Sequence, residues 1–155
     1  MNFGLWEDEI VERLEMNGAE VKALPHVTEL NDPRPTVRPQ LYVIIHGSSL
    51  AEPDNLAVIS QEETIQGEIF IRSKHRRGEM GIFDLYDKIT NLLLGYRLAG
   101  TKYPITFGQF GYVTGLLNNW QYSLAFSFTA YRIQGDDPEP DKLIRKITIK
   151  TGQYE

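Results

Sequence analysis

The sequence predicts an α+β fold: a mixed, mainly antiparallel sheet with two helices packed on one face, plus an appended C-terminal strand. Three observations carry this. Two stretches, one N-terminal and one mid-chain, repeat apolar residues at helical spacing. Other segments alternate apolar and polar residues with the period of a half-buried strand. The strands come in runs broken by single helices, which favours an α+β sheet over strictly alternating βα units. At 155 residues, 41% apolar and 24% charged, the chain fits one domain with a sizeable core. That domain is expected over residues 1–134, with 135–155 an acidic linker and terminal strand.

The first element reads as a short helix. Leu5, Trp6, Ile10 and Leu14 share one face, while Glu7, Asp8, Glu9, Glu12, Arg13 and Glu15 make the wet side. The acidic residues are expected in its first turn, where the helix dipole favours them, and Gly18 is its stop. Pro25 opens an extended passage, and the Pro-rich segment 32–39 is an exposed connector that neither a helix nor a central strand tolerates.

Leu41-Tyr42-Val43-Ile44-Ile45 is a continuous β-prone run, expected to be buried on both faces. Residues 47–55 read as a polar loop. From about Leu56 to Arg72 the chain is again extended, with Ile65, Ile69 and Ile71 on one face and Gly67 marking a bulge or a close backbone approach. A basic turn, 73–79, leads into the clearest helix. There Ile82, Leu85, Tyr86, Ile89, Leu92, Leu93 and Tyr96 follow the i, i+3, i+4, i+7 pattern, bracketed by Gly95 and Gly100.

A Gly-interrupted strand is expected at 105–115. The strongest strand signal follows: Trp120, Tyr122, Leu124, Phe126, Phe128 and Ala130 on one face, with Gln121, Ser123, Ala125, Ser127 and Thr129 on the other. Its length exceeds the usual strand, so part is expected to bend or pass beyond the sheet. Beyond the linker Gly135-Asp136-Asp137-Pro138-Glu139-Pro140-Asp141, residues 143–150 alternate again as an amphipathic strand with few local partners.

The residue types argue against catalysis. There is no cysteine, hence no thiolate nucleophile and no disulfide framework. His26, His46 and His75 lie in separate segments without metal-ligand spacing. The run His46-Gly47-Ser48-Ser49 lacks an accompanying Gly-x-Ser-x-Gly elbow, and Gly108-Gln109-Phe110-Gly111 places aromatics where a phosphate loop needs small residues. Glu62-Glu63 and Asp136-Asp137 are adjacent carboxylates that a strand would point to opposite sides; solvated charge is their expected role. No cofactor is expected. The net charge of −5 disfavours a sequence-reading nucleic-acid binder. No apolar stretch approaches the ~20 residues that cross a bilayer, and the N-terminus has no signal-peptide pattern, so cytoplasmic synthesis is expected.

The sharpest charge feature is Arg72-Ser73-Lys74-His75-Arg76-Arg77, four cations in six residues of an acidic chain. Such a run is either a solvated turn or a contact to phosphate or an acidic partner. The terminal strand carrying Leu143, Ile147 and Ile149 is of the kind that pairs with a neighbour's sheet edge.

Gly81-Ile82-Phe83-Asp84-Leu85-Tyr86-Asp87-Lys88-Ile89-Thr90-Asn91-Leu92-Leu93-Leu94-Gly95-Tyr96-Arg97 follows the strand end Phe70-Ile71-Arg72-Ser73. It precedes Trp120-Gln121-Tyr122-Ser123-Leu124-Ala125-Phe126. Together with the Glu9–Leu14 helix and the Leu41–Ile45 strand, this order resembles phage tail-terminator proteins, in particular the Mu-like minor-tail branch of contractile-tailed phages. The resemblance covers the chain to about Gln134 and rests on order and spacing, not on one signature. It implies a non-enzymatic virion protein of the tail or neck, assembled in the host cytoplasm as a homohexameric ring that caps the tail tube and meets the head–tail connector. The sheath is a further candidate partner, DNA would pass through the lumen without sequence-specific contact, and no membrane is involved. Arg72, Lys74, Arg76, Arg77, Leu143, Ile147 and Ile149 are the candidate contacts. Another head–tail connector or completion adaptor, a small hydrolase and a peptide-binding module are the competing readings.

Overall fold

A computed structural model describes residues 2–24, 38–53, 60–115 and 119–133. It contains helix α1 (Phe3–Leu14) and strands β1 (Glu20–Ala23), β2 (Gln40–Leu50) and β3 (Ser60–Ser73). Helix α2 (Ile82–Leu93) and strands β4 (Thr101–Thr114) and β5 (Trp120–Ile133) complete it. The strands form one five-stranded sheet in the order β1-β2-β3-β5-β4. Only β1 runs parallel to its neighbour; the other pairs are antiparallel, giving the mixed, mainly antiparallel sheet the sequence implies.

Both helices cover one face. Trp6, Ile10 and Leu14 of α1 join Ile82, Leu85, Ile89 and Leu93 of α2 in one buried cluster with Leu41, Val43, Ile65, Ile69, Ile71, Leu124, Phe126 and Phe128. Each aliphatic side chain so buried contributes about 1.5–3 kcal/mol, which is why short helices of modest intrinsic stability are fixed here. The expected apolar faces of the helices and of β3 and β5 form the core, except for Leu5, which sits at the edge of the α1 face and is 51% exposed.

Several boundaries differ from expectation. Asn2 accepts the Leu5 N–H at 2.9 Å through its side chain, so α1 begins at Phe3 and the acidic residues fall past its first turn. Strand β1 emerges before Pro25, in a stretch whose four half-buried residues show no alternation to announce it. Strand β2 runs on through residues expected to be loop, because Ser48 and Ser49 pair with Ile65 and Thr64. Its run is buried on both faces only at Leu41, Tyr42 and Val43; Ile44 and Ile45 are half-buried. Helix α2 stops at Leu93, short of Tyr96, where Gly95 turns into the left-handed region at φ 79°. Strand β4 starts earlier, at Thr101, and accommodates Pro104 because it is the outer strand among the described residues.

The long strand does not pass beyond the sheet. It is paired along its whole length with β3, from Ser60 opposite Ile133 to Ser73 opposite Trp120.

Gly67 marks both features the sequence offered as alternatives. The β2–β3 register shifts between Ile45 and Gly47, directly opposite it, so a bulge lies there. A Cβ at Gly67 would also stand 2.5 Å from the Ile44 carbonyl oxygen and collide with the Phe126 ring. The bulge leaves the Ile45 N–H without a ladder role, and the Glu7 carboxylate accepts it at 2.7 Å.

Further side chains of α1 bond to distant backbone, among them Arg13 and Glu9, which were expected on its wet side. The Trp6 indole N–H donates to the Ala99 carbonyl at 2.9 Å, and Arg13 donates to the Leu92 carbonyl at 3.0 Å. Glu9 accepts from the Tyr96 hydroxyl at 3.0 Å and the Ala99 amide at 3.1 Å, and the first of these contacts raises the tyrosine's pKa. Helix α1 is thereby pinned to the connection between α2 and β4.

Candidate assembly surfaces

The basic run leaves the sheet at the end of β3, and the fold divides its cations. Arg72 lies on the face opposite the helices, is buried, and donates to the Gln40 side-chain oxygen at 3.3 Å. It is an internal residue of the fold. Ser73, also buried, starts the turn: its hydroxyl donates to the Met80 carbonyl at 3.1 Å and accepts the His75 N–H at 3.3 Å.

The turn then folds over the start of α2. That helix has no side-chain cap; instead Ile82 N–H donates to the His75 carbonyl at 2.9 Å and Phe83 N–H to the Arg76 carbonyl at 3.1 Å. Backbone from the basic run thus satisfies amides that a helix start leaves open. Two residues make this tight closure feasible. Met80 adopts a left-handed φ of 59° and donates its N–H to Asp84 at 2.9 Å. At Gly81 a Cβ would sit 2.6 Å from the Arg77 carbonyl oxygen. The Met80 amide, then Lys88 at 3.0 Å, holds the Asp84 carboxyl below its ordinary range.

Arg76 is exposed yet held. Its Nε donates to the Tyr122 hydroxyl at 3.2 Å, and its guanidinium carbon lies 5.1 Å from the Trp120 ring centre and 5.3 Å from that of Phe83. These rings continue into Tyr112, which is 59% exposed and packs edge-on against both Trp120 and Tyr122. Lys74, His75 and Arg77 are exposed on the same turn. The sequence's solvated-turn reading therefore describes Lys74 and Arg77, not Arg72 or Arg76. The aromatics of this cluster come from α2, β4 and β5, so nothing in the local sequence of the turn announces them.

The opposite end of the β3–β5 pair carries the other charged groups. Glu62 and Glu63 point to opposite faces, as alternation requires, but neither is simply solvated. Lys102 lies 2.8 Å from Glu62, and this carboxylate, with the nearby Tyr131, raises the lysine's pKa. Glu63 is buried and accepts from Arg132 at 2.7 Å and from the Ser48 hydroxyl at 2.7 Å. On the helix-free face, His46, Gln66, Glu68, Gly108, Ala125 and Ser127 line a shallow depression of about 280 Å³. Among the described residues no group of three His, Cys, Asp or Glu side chains could hold a metal, and no helix is long and apolar enough to cross a membrane. Leu143, Ile147 and Ile149, with His26 and Asp136-Asp137, lie outside the described residues.

No curated protein matches this chain. A family model described as "Gp37 protein" matches residues 10–155, through the acidic linker and the terminal segment as well as the sheet. The chain therefore belongs to the Gp37 family, a family of bacteriophage proteins.

Proposed function

We propose that this protein is a non-enzymatic structural component of the virion that closes the end of the tail tube as a homohexameric ring. In that role it stops tube growth and forms the joint to the head-side connector, with DNA passing through the lumen and no cofactor required. The observation that carries the proposal is membership of a bacteriophage family, joined to an order of one helix, three strands, a second helix and two strands in which the elements of the tail-terminator resemblance follow one another in sequence. A second support is the outward-facing basic turn at one end of the sheet, held by backbone hydrogen bonds to α2 and by Tyr122, a surface suited to a fixed contact.

Size-exclusion chromatography with light scattering, with and without purified tail tubes, tests the reading. A sixfold ring seated on tube ends is the expected result. A strict monomer that ignores tubes refutes it.

A further inference from the structure

We infer that the acidic linker of one copy, Asp136-Asp137-Pro138-Glu139, docks on the basic turn, residues 74–77, of a second copy. This deepens the ring reading by naming a contact between subunits, and only its closure into a ring rests on that reading.

The acceptor is built in advance. Backbone hydrogen bonds fix the turn against α2, and Arg76 is held between Trp120 and Phe83 by Tyr122. Lys74 and Arg77 remain exposed beside it, with no hydrogen bond or ion pair among the described residues. A surface already ordered loses little conformational freedom when it binds. The donor is written in the sequence: residues 136–141 hold four carboxylates, at Asp136, Asp137, Glu139 and Asp141. In a chain that is acidic overall, these two segments are complementary in charge.

Reach decides between the chain's own turn and another copy's. The linker departs from Ile133, which is paired with Ser60, whereas the turn departs from Ser73, paired with Trp120. Thirteen steps of strand separate these ends, about 43 Å at ~3.3 Å per residue. Even Arg76, folded back on Tyr122, lies eleven steps up β5 from Ile133, about 36 Å. Asp136 reaches at most about 10 Å from Ile133 when fully extended, Glu139 about 21 Å and Asp141, eight residues past it, about 28 Å. The linker carboxylates therefore cannot meet their own turn. Of the cations near the linker's root, Lys102 is paired with Glu62, Arg132 with Glu63, and Arg97 donates its Nε–H to the Thr101 carbonyl. The turn of a second molecule, with three cations in the four residues 74–77, is the densest cluster of positive charge open to the linker. Because donor and acceptor stand at opposite ends of the sheet, each copy can give one contact and take another, the head-to-tail pattern that closes into rings.

The test uses the full chain, as an equal mixture of unlabelled and ¹⁵N-labelled protein, alone and on tail tubes. A carbodiimide joins carboxylates directly to amines, and mass spectrometry reads the linked peptides. The expected product joins Lys74 to the segment 136–141 with one labelled and one unlabelled partner. Its yield should fall by about tenfold in Arg77→Glu, which changes the local charge by two units. Absence of the linkage, linkage only within one label, or a yield unchanged in Arg77→Glu overturns the inference. Rings on tube ends without the linkage overturn the contact and leave the terminator reading standing. The mixed-label linkage in a protein that ignores tubes supports the contact and removes the terminator reading.

Discussion

Replacing Gly67 by alanine isolates the tightest backbone approach in the sheet. The added methyl carbon would stand 2.5 Å from the Ile44 carbonyl oxygen and would strike the Phe126 ring. The ring can rotate or shift, but the carbonyl belongs to the neighbouring strand at the bulge and moves only with it. Overpacking of this kind costs about 1–3 kcal/mol, and the backbone contact argues for the upper half, about 2–3 kcal/mol. For a chain of this size that lowers the thermal midpoint by about 4–12 °C. Phe126→Leu alone should cost about 1–2 kcal/mol, part of the roughly 3–5 of a full Phe→Ala truncation. The double variant should lose less than the sum of the two by about 0.5 kcal/mol or more, since the smaller side chain makes room for the methyl group. Urea unfolding of all four proteins, read as a thermodynamic cycle, measures this coupling. Strict additivity, or a Gly67→Ala protein as stable as the parent, would refute the close-packing account.

Arg132→Ala should destabilise by about 1–2 kcal/mol, well under the 3–5 for breaking a fully buried pair, because Arg132 is half-exposed and Ser48 still donates to Glu63; denaturant titration checks it, and Glu63→Gln with Arg132 retained should cost less. Glu7→Ala should leave the Ile45 amide of the bulge without its acceptor, costing about 1–2 kcal/mol and accelerating hydrogen exchange at that amide while Ile69 in β3 keeps its protection. Asp84 has a pKa lowered by the Met80 amide and Lys88, so its contribution is present above the ordinary aspartate range and is lost as pH falls through the lower folded value. Asp84→Asn should therefore flatten the acid limb of a stability–pH curve below about pH 4 and leave its slope at neutral pH unchanged; an identical acid limb in the two proteins contradicts the assignment.

The parts of the fold that could be read from sequence are those whose apolar period is long. Helix α2 presents Ile82, Leu85, Ile89 and Leu93 at strict spacing, and β5 alternates over its length, so both faces were fixed before any partner was known. Gly67 stood out because a glycine inside an apolar alternation needs a reason. What escaped were elements defined by partners far away in the chain. Strand β1 is too short to show a period and exists because Val21 and Ala23 lie beside Leu41 and Val43. Glu7, Glu9 and Arg13 look like an ordinary wet helix face, yet they anchor α1 to groups 38 to 90 residues distant. Tyr96 continues the helical spacing of α2, but Gly95 ends the helix and sends the ring to Glu9. The basic run offered the same cation four times; only the registers of β2 and β5 separate buried Arg72 and clasped Arg76 from outward Lys74 and Arg77.

The end-to-end pairing of β3 with β5 also has a mechanical meaning. The strands are antiparallel, so the basic turn continues the C-terminal end of β3 at one extremity and the linker continues the C-terminal end of β5 at the other. Tension entering at these two points would pull the strands past each other lengthwise instead of peeling them apart. In that shear geometry the rungs bear the load together, whereas peeling would break them singly from one end. The same pair of strands that forms the centre of the sheet would then act as a tie between its two extremities, stiff along the one axis on which a chain of subunits would pull.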